Sequence, residues 1–340
     1  MEPGACFQEV TKGKKVPAPP GAPAAGTPGA RGGVYAFVFA PGTSGREDSL
    51  PPEVRSRRPE LQRKLDELYG AARKLKGERV GVRSRDALAL SGQYFRFSAS
   101  GEGPVILFFH GYHSWPLRDG CGMLKLAGEL GIDVLAADQR AHGESAGRTI
   151  TFGVRERYDC LDWIQYLLDR FGPDRDIVLG GVSMGAATVL MAADRLPANV
   201  KGIIADCGYT SPEAIMEHVS RSVHIPPALS LPLLRASARI LGGFDTRACS
   251  APEALRRCRA PVLFIHGEAD SFVPCDMSRE NYAACTAPKR LLTVPGADHA
   301  MTCTYFYIVA QEKVKRAECP FHVRQSGIYC AYVRDYAEAL

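Results

Sequence analysis

The 340-residue chain contains no run of 18 or more apolar residues, so a membrane-spanning helix and stable membrane insertion are not expected. Its first residues, MEPGACFQEVTKGKK, lack a basic stretch followed by an apolar one, and no secretory signal is read there. The eleven cysteines form no CxxC pair and are irregularly spaced, which argues against a disulfide framework or a cysteine-rich zinc site. Reduced thiols in the cytoplasm are the simpler expectation. No nucleotide-binding glycine loop is present either. GGVSMG lacks the lysine of a phosphate-binding loop, and no helix is predicted after ASGEGP. No internal repeat of fixed period is visible.

What the chain does have is an apolar fraction of 46% with 23% charged residues, the balance of a globular protein with a sizeable core. Its net charge of +5 is unevenly placed. Residues 1–85 hold sixteen Lys and Arg against nine Asp and Glu, while the remainder holds 26 against 28. The body is therefore near neutral, and no basic stripe interleaved with aromatics suggests nucleic-acid binding.

Residues 1–58 are rich in proline, glycine and charge, and are expected to be disordered or extended. Within them GVYAFVFA, 33–40, is too short to span a bilayer. It reads as a strand, a packed arm or a surface anchor. Leu61, Leu65, Leu68 and Leu75 then fall at helical intervals in PELQRKLDELYGAARKLKGE, 59–78. Beyond residue 79, two strands of antiparallel character give way to alternating strands and helices. The apolar strands include PVILFFHG, IDVLAAD, DIVLGGVS, VKGIIADC, PVLFIHG and KRLLTVPG. Such alternation implies an α/β domain over residues 59–316, with a mostly parallel, twisted sheet covered by helices on both faces. Residues 212–250 give no strand, but many apolar residues broken by Pro226, Pro227 and Pro232. They read as two or three short helices forming a small lid.

Gly181-Val182-Ser183-Met184-Gly185 fits the G-x-S-x-G pattern of a nucleophile on a sharp strand-to-helix turn. Glycines two positions either side leave room for such a turn, and the following helix end favours developing negative charge. A serine there needs a base, and an acid to orient that base. Of the histidines downstream, His299 follows the last clear strand on a loop. His266 sits at a strand end and reads as structural or as pocket floor. Asp270 follows the preceding strand and is the first choice of acid, with Asp206 as the alternative. The amides of Met184 and Tyr112 are the expected oxyanion donors. His113, Trp115, Met216 and Val219 are candidates for the substrate pocket. In DQRAHGES, 138–145, His142 reads as part of a buried polar cluster that fixes a turn rather than as a base or metal ligand. No cofactor or metal is expected.

The ordered run FFHGYHS, DQRAHGES, GGVSMGAAT, IIADCGYTS, VLFIHGEADSFVP and VPGADH resembles the α/β-hydrolases. The resemblance is to bacterial serine hydrolases similar to monoglyceride lipases and serine aminopeptidases. It covers about residues 60–302, and implies the α/β-hydrolase fold with Ser183 as nucleophile, Asp270 as acid and His299 as base. It also implies an oxyanion hole from the Tyr112 and Met184 amides. One departure is Ala141, where many relatives carry glycine. Another follows His299, where relatives close the sheet with an amphipathic helix: MTCTYFYIVAQEKVKR, 301–316, is the candidate for it, and residues 317–340 are an atypical C-terminal segment. The expected activity is hydrolysis of small carboxylic esters with short or medium acyl chains. A peptidase or amidase with the same groups, or a non-catalytic binding protein, are the alternatives.

Overall fold

Ile177–Val182 and Val105–Phe109 are apolar or glycine throughout, and every residue in them is buried. A strand buried on both faces must lie inside a sheet with a layer on each side. The computed structural model, which describes residues 30–41 and 59–299, has that arrangement. The chain starts with α1 (Ala30–Val38), α2 (Pro59–Ala72), β1 (Glu78–Arg83), β2 (Ala89–Phe95) and β3 (Val105–Phe109). It continues through α3 (Pro116–Asp119), α4 (Cys121–Leu130), β4 (Asp133–Ala137), α5 (Glu156–Phe171), β5 (Ile177–Val182) and α6 (Met184–Met191). Then follow β6 (Val200–Asp206), α7 (Pro212–Ser222), α8 (Pro227–Ile240), α9 (Ala251–Leu255), β7 (Val262–Gly267), α10 (Cys275–Ala284) and β8 (Lys289–Val294).

The strands form one sheet in the order β1-β2-β4-β3-β5-β6-β7-β8. β1 pairs antiparallel with β2, and β2 antiparallel with β4. Every later pairing is parallel. Side chains alternate across the sheet and so build two cores. Val105, Leu107 and Phe109 point to one face, against Trp163, Ile164 and Leu167 of α5 and the small residues of α6. Ile106 and Phe108 point to the other, against Leu65 and Leu68 of α2 and Leu124 and Ala127 of α4. The α5 stripe Cys160, Trp163, Ile164, Leu167 has the spacing of one helix face, which is why that helix lies flat on the sheet.

Three expectations need comment. The N-terminal 58 residues are not uniformly disordered or extended, because Ala30–Val38 is a helix. Val34, Tyr35 and Val38 lie on one side of it and, with Phe39, join the core, where Phe39 meets Phe152 and Phe244 edge-on. The Tyr35 hydroxyl bonds Thr149 Oγ1 at 2.6 Å and the Arg148 carbonyl at 3.1 Å. Of the three readings of the apolar run, the structure has the packed arm, as a helix. Second, α2 stops at Ala72, short of the residue-78 limit that its leucine spacing suggested. Third, residues 300–340, with the atypical segment 317–340, lie outside the described residues. Between β6 and β7 the broken apolar stretch forms α7 and α8, with Pro226 and Pro227 opening α8 and Pro232 inside it.

Candidate active site

β5 ends at Val182 and α6 begins at Met184, so Ser183 alone makes the turn. Its φ of 54° and ψ of −113° lie outside the regions open to a residue with a Cβ. Such strain costs about 1–3 kcal/mol and persists only where the surroundings enforce it. Here the Ser183 N–H donates to the Asp206 carbonyl at 2.8 Å, and its carbonyl accepts from Ala187 at 2.9 Å. The flanking glycines are steric necessities. A Cβ on Gly181 would lie 2.4 Å from the Gly185 carbonyl, and one on Gly185 2.0 Å from the Phe109 carbonyl oxygen.

The turn delivers the hydroxyl to the carboxyl edge of the sheet, where the loops after β7 and β8 also arrive. His299 Nε2 stands 3.0 Å from Ser183 Oγ, and His299 Nδ1 2.7 Å from Asp270 Oδ2. Asp270 Oδ1 accepts the N–H groups of Phe272 and Val273 at 2.9 and 2.8 Å, which fixes the carboxylate plane. His266 Nε2 lies 3.3 Å from Asp270 Oδ2 and 2.8 Å from the Val273 carbonyl, with its Nδ1 on Ser278. Burial pushes the Asp270 pKa up, but hydrogen bonds from His266 and His299 outweigh it and bring the group down to about 2. Asp206, the alternative acid, is fully buried at the end of β6. The neighbouring Cys207 thiol has a donor atom within 4.8 Å of those of Asp270 and His299. Among the described residues this trio is the one group of three His, Cys, Asp or Glu side chains whose donor atoms lie close enough to share an ion. Binding one there would break the 2.7 Å bond between Asp270 and His299.

Opposite the serine lies the loop that follows β3. A Cβ on Gly111 would be 3.4 Å from the Ser183 Cβ, so this backbone touches the turn. Neither the Tyr112 N–H nor the buried Met184 N–H meets an acceptor among the described residues. A buried amide without a partner, as at Met184, is rare. Asp119 accepts the Gly111 N–H at 2.7 Å and the Ser114 hydroxyl at 2.6 Å. On the other side His142 Nε2 accepts the His113 N–H at 3.1 Å. His113 has a φ of 48°, so the loop is held in a conformation it would not choose alone.

A model of the alpha/beta hydrolase fold matches residues 104–223. An uncharacterized protein of Mycobacterium tuberculosis is 31% identical over 225 residues, 66% of this chain and 72% of that one. The chain belongs to the α/β-hydrolase family. An uncharacterized protein of Bacillus subtilis is 29% identical over 178 residues, and the match spans 52% of this chain and 58% of that protein's length. A lysophosphatidylserine lipase of Danio rerio is 28% identical over 218 residues, 61% of this chain and 54% of the lipase. Among solved structures, a Pyrococcus furiosus esterase shares the fold with a TM-score of 0.57 at 22% identity, covering 80% of this chain and 97% of the esterase.

In this α/β-hydrolase several groups around the site carried no motif. Asp119 lies on α3, and its bond to Gly111 depends on how that helix returns to the loop. The arm before α2 also reaches the site: the Tyr112 hydroxyl donates to the Val38 carbonyl at 2.9 Å, and His113 Nε2 is 3.2 Å from the Ala40 carbonyl. The His113 ring stacks on Tyr112 with centroids 3.8 Å apart. Burial, and then the nearby His110, take the His142 pKa down to about 3, so its ring is neutral and free to accept. The remainder of that turn is fixed by Arg140, which bonds Asp159 at 2.6 and 2.7 Å and Asp86 at 2.9 and 3.2 Å. Of the pocket candidates, Met216 is buried and Val219 packs against the core. Trp115 turns toward α2, its indole N–H donating to the Tyr69 hydroxyl at 3.1 Å.

Proposed function

We propose that this α/β-hydrolase cleaves small carboxylic esters with short or medium acyl chains through an acyl-enzyme. The observation that carries the reading is the hydrogen-bonded line Ser183–His299–Asp270 facing the two unpartnered amides of Tyr112 and Met184. Ser183 Oγ attacks the ester carbonyl carbon while His299 Nε2 takes its proton. Asp270 stabilises the imidazolium that forms. The carbonyl oxygen, now negative, sits between the Tyr112 and Met184 N–H groups. As the tetrahedral adduct collapses, the C–O bond to the leaving alkoxide breaks, and His299 gives it the proton. Water, deprotonated by the same ring, then attacks the acyl-serine and frees the acid.

The helices α7 and α8 act in this reading as a lid, with Met216 and Val219 toward the acyl group and His113 and Trp115 beside the loop. An amide or peptide substrate with a free amine would call for an unpaired acid there. Glu213 is instead bonded by Arg235 at 2.6 and 2.7 Å and by Thr246 at 2.8 Å, and Glu217 is bonded by Arg221 at 2.6 Å. That favours esters. A cytoplasmic setting accompanies it, in line with the buried free thiols among the described residues. No helix among those residues is long and apolar enough to cross a membrane.

The test is labelling by a fluorophosphonate together with turnover of a p-nitrophenyl ester series. Labelling of the full-length chain that vanishes in Ser183→Ala, with esters faster than aminoacyl anilides, is the expected result. A folded chain that takes no label refutes the enzymatic reading, and faster anilide turnover refutes the ester preference.

A further inference from the structure

β7 and β8 run parallel in the register Val262↔Lys289, Leu263↔Arg290, Phe264↔Leu291. Each is preceded by a cysteine four residues before the first paired position, Cys258 before Val262 and Cys285 before Lys289. Cys258 follows the last turn of α9 and Cys285 caps α10, so the two cysteines stand on adjacent connections just before the strands enter the sheet. Neighbouring strands lie about 4.8 Å apart. A disulfide bridges Cα separations of about 4.4–6.8 Å.

The approach does not rest on register alone. Thr286, next to Cys285, donates its N–H to the Leu255 carbonyl at 3.3 Å and its hydroxyl to the Arg256 carbonyl at 3.1 Å. The Val262 N–H donates to the Pro288 carbonyl at 2.9 Å. These bonds hold the end of α9 against the end of α10. Cys258 Sγ lies 3.2 Å from the Ala260 carbonyl and Cys285 Sγ 3.9 Å from the Ala287 carbonyl, and the two thiols interact electrostatically as a pair. Both side chains are buried, with exposed Arg257, Arg259 and Thr286 as their chain neighbours. Interaction with the Cys258 thiol outweighs burial and lowers the Cys285 pKa below the ordinary thiol value, making Cys285 the more readily ionised sulfur.

We propose that Cys258 and Cys285 are a reversible disulfide site, oxidised by hydrogen peroxide, that staples β7 to β8. The Cys285 thiolate attacks one peroxide oxygen, the O–O bond breaks, and the sulfur becomes a sulfenic acid while hydroxide takes up a proton and leaves as water. Cys258 sulfur then attacks Cys285 sulfur and expels the sulfenic oxygen as a second water, with the Cys258 proton. Two thiols lose two electrons in all, and one peroxide becomes two waters.

The staple lies at the amino end of the two strands whose carboxyl ends carry Asp270 and His299. It ties those strands together without touching any group in the line from Ser183. The loop it closes, residues 258–285, contains Asp270. Closing it restricts the unfolded chain, so the oxidised protein resists heat while keeping its site. This inference is independent of the proposed reaction.

The test treats the full-length chain with hydrogen peroxide, alkylates the remaining thiols, and maps peptides by mass spectrometry. The expected product joins the Cys258 and Cys285 peptides with loss of two hydrogens, and separates again in dithiothreitol. Oxidation also raises the thermal unfolding midpoint by about 5 °C in the unmutated chain and not in Cys258→Ser. Recovery of Cys258 and Cys285 only on separate peptides, or linked to other cysteines, overturns the site. A Cys258–Cys285 link that leaves the midpoint unchanged overturns the staple. The mapping uses the unmutated chain and decides the matter even if the variant does not fold.

Discussion

The neutral imidazole of His142 accepts the amide N–H of His113 at 3.1 Å, across 29 residues of sequence. The His142 Nδ1–H in turn is fixed on the Arg140 carbonyl at 2.9 Å, so the ring has one available acceptor and it points at the loop. With Asp119 gripping Gly111 and Ser114 from the other side, the strained backbone that presents the Tyr112 N–H is clamped at both ends. In the proposed reaction an oxyanion donor must be in place before the charge appears, and these two side chains would supply that preorganisation.

His142→Ala should therefore lower kcat for ester turnover by about 10–100-fold with little change in KM, since loss of a whole oxyanion donor costs about 100–1,000-fold. His142→Gln, which keeps an acceptor, should recover part of the loss. Steady-state kinetics with a p-nitrophenyl ester reads both. A fall in thermal stability with kcat intact would instead assign His142 to the fold alone.

The two acids weighed for the site separate by rate. Asp270→Asn should reduce kcat by about 10,000-fold, because the amide cannot hold His299 in the tautomer that accepts from Ser183. Asp206→Asn, measured on folded protein, should cost less than about tenfold. Equal losses in the two variants would overturn the assignment of Asp270.

The Asp270 pKa also sets a stability term with a definite sign. Its folded value of about 2 lies below the ordinary 3.8, so the ionised form is favoured by folding. The stabilisation, about 2 kcal/mol, is fully present above pH 3.8 and fades as the pH falls toward 2. Urea unfolding of the parent and Asp270→Asn should differ most near neutral pH and converge only as the pH falls to about 2. A gap that widens on acidification would contradict the hydrogen-bond origin of the shift.

Phe39 is fully buried between Phe152 and Phe244, and the residues on either side bond Tyr112 and His113. Phe39→Ala should cost about 3–5 kcal/mol of unfolding free energy. It should also lower ester turnover more than a core truncation of equal cost on the far face of the sheet, such as Leu124→Ala. Chemical unfolding and kcat measured side by side check this. Equal turnover in the two variants would show that the arm supports the core and not the loop.

Much of the site was legible because its local geometry has few solutions. Gly181 and Gly185 flank Ser183 because no other residue fits beside a one-residue turn, and that need is written as a pentapeptide. Strand and helix periods placed Asp270 and His299 on adjacent loops, since parallel strands with buried faces are apolar throughout. The groups that carried no motif act across the fold. Asp119, His142 and His266 are ordinary residues in sequence, and only packing turns them toward Gly111, His113 and Asp270. The apolar stretch 33–40 stood out from its low-complexity flanks as a strand, packed arm or anchor, but it is too short for its period to announce the helix Ala30–Val38.

The sequence by itself determined the α/β architecture and which serine must stand on the strained turn, because hydrophobic periodicity and the absence of a Cβ at two glycines act locally. Tertiary structure alone set Asp270 against His299, clamped the Tyr112 loop between Asp119 and His142, and brought together the ends of α9 and α10 that carry Cys258 and Cys285. Each depends on a distance of a few ångströms between segments far apart in the chain, set by sheet register and helix packing.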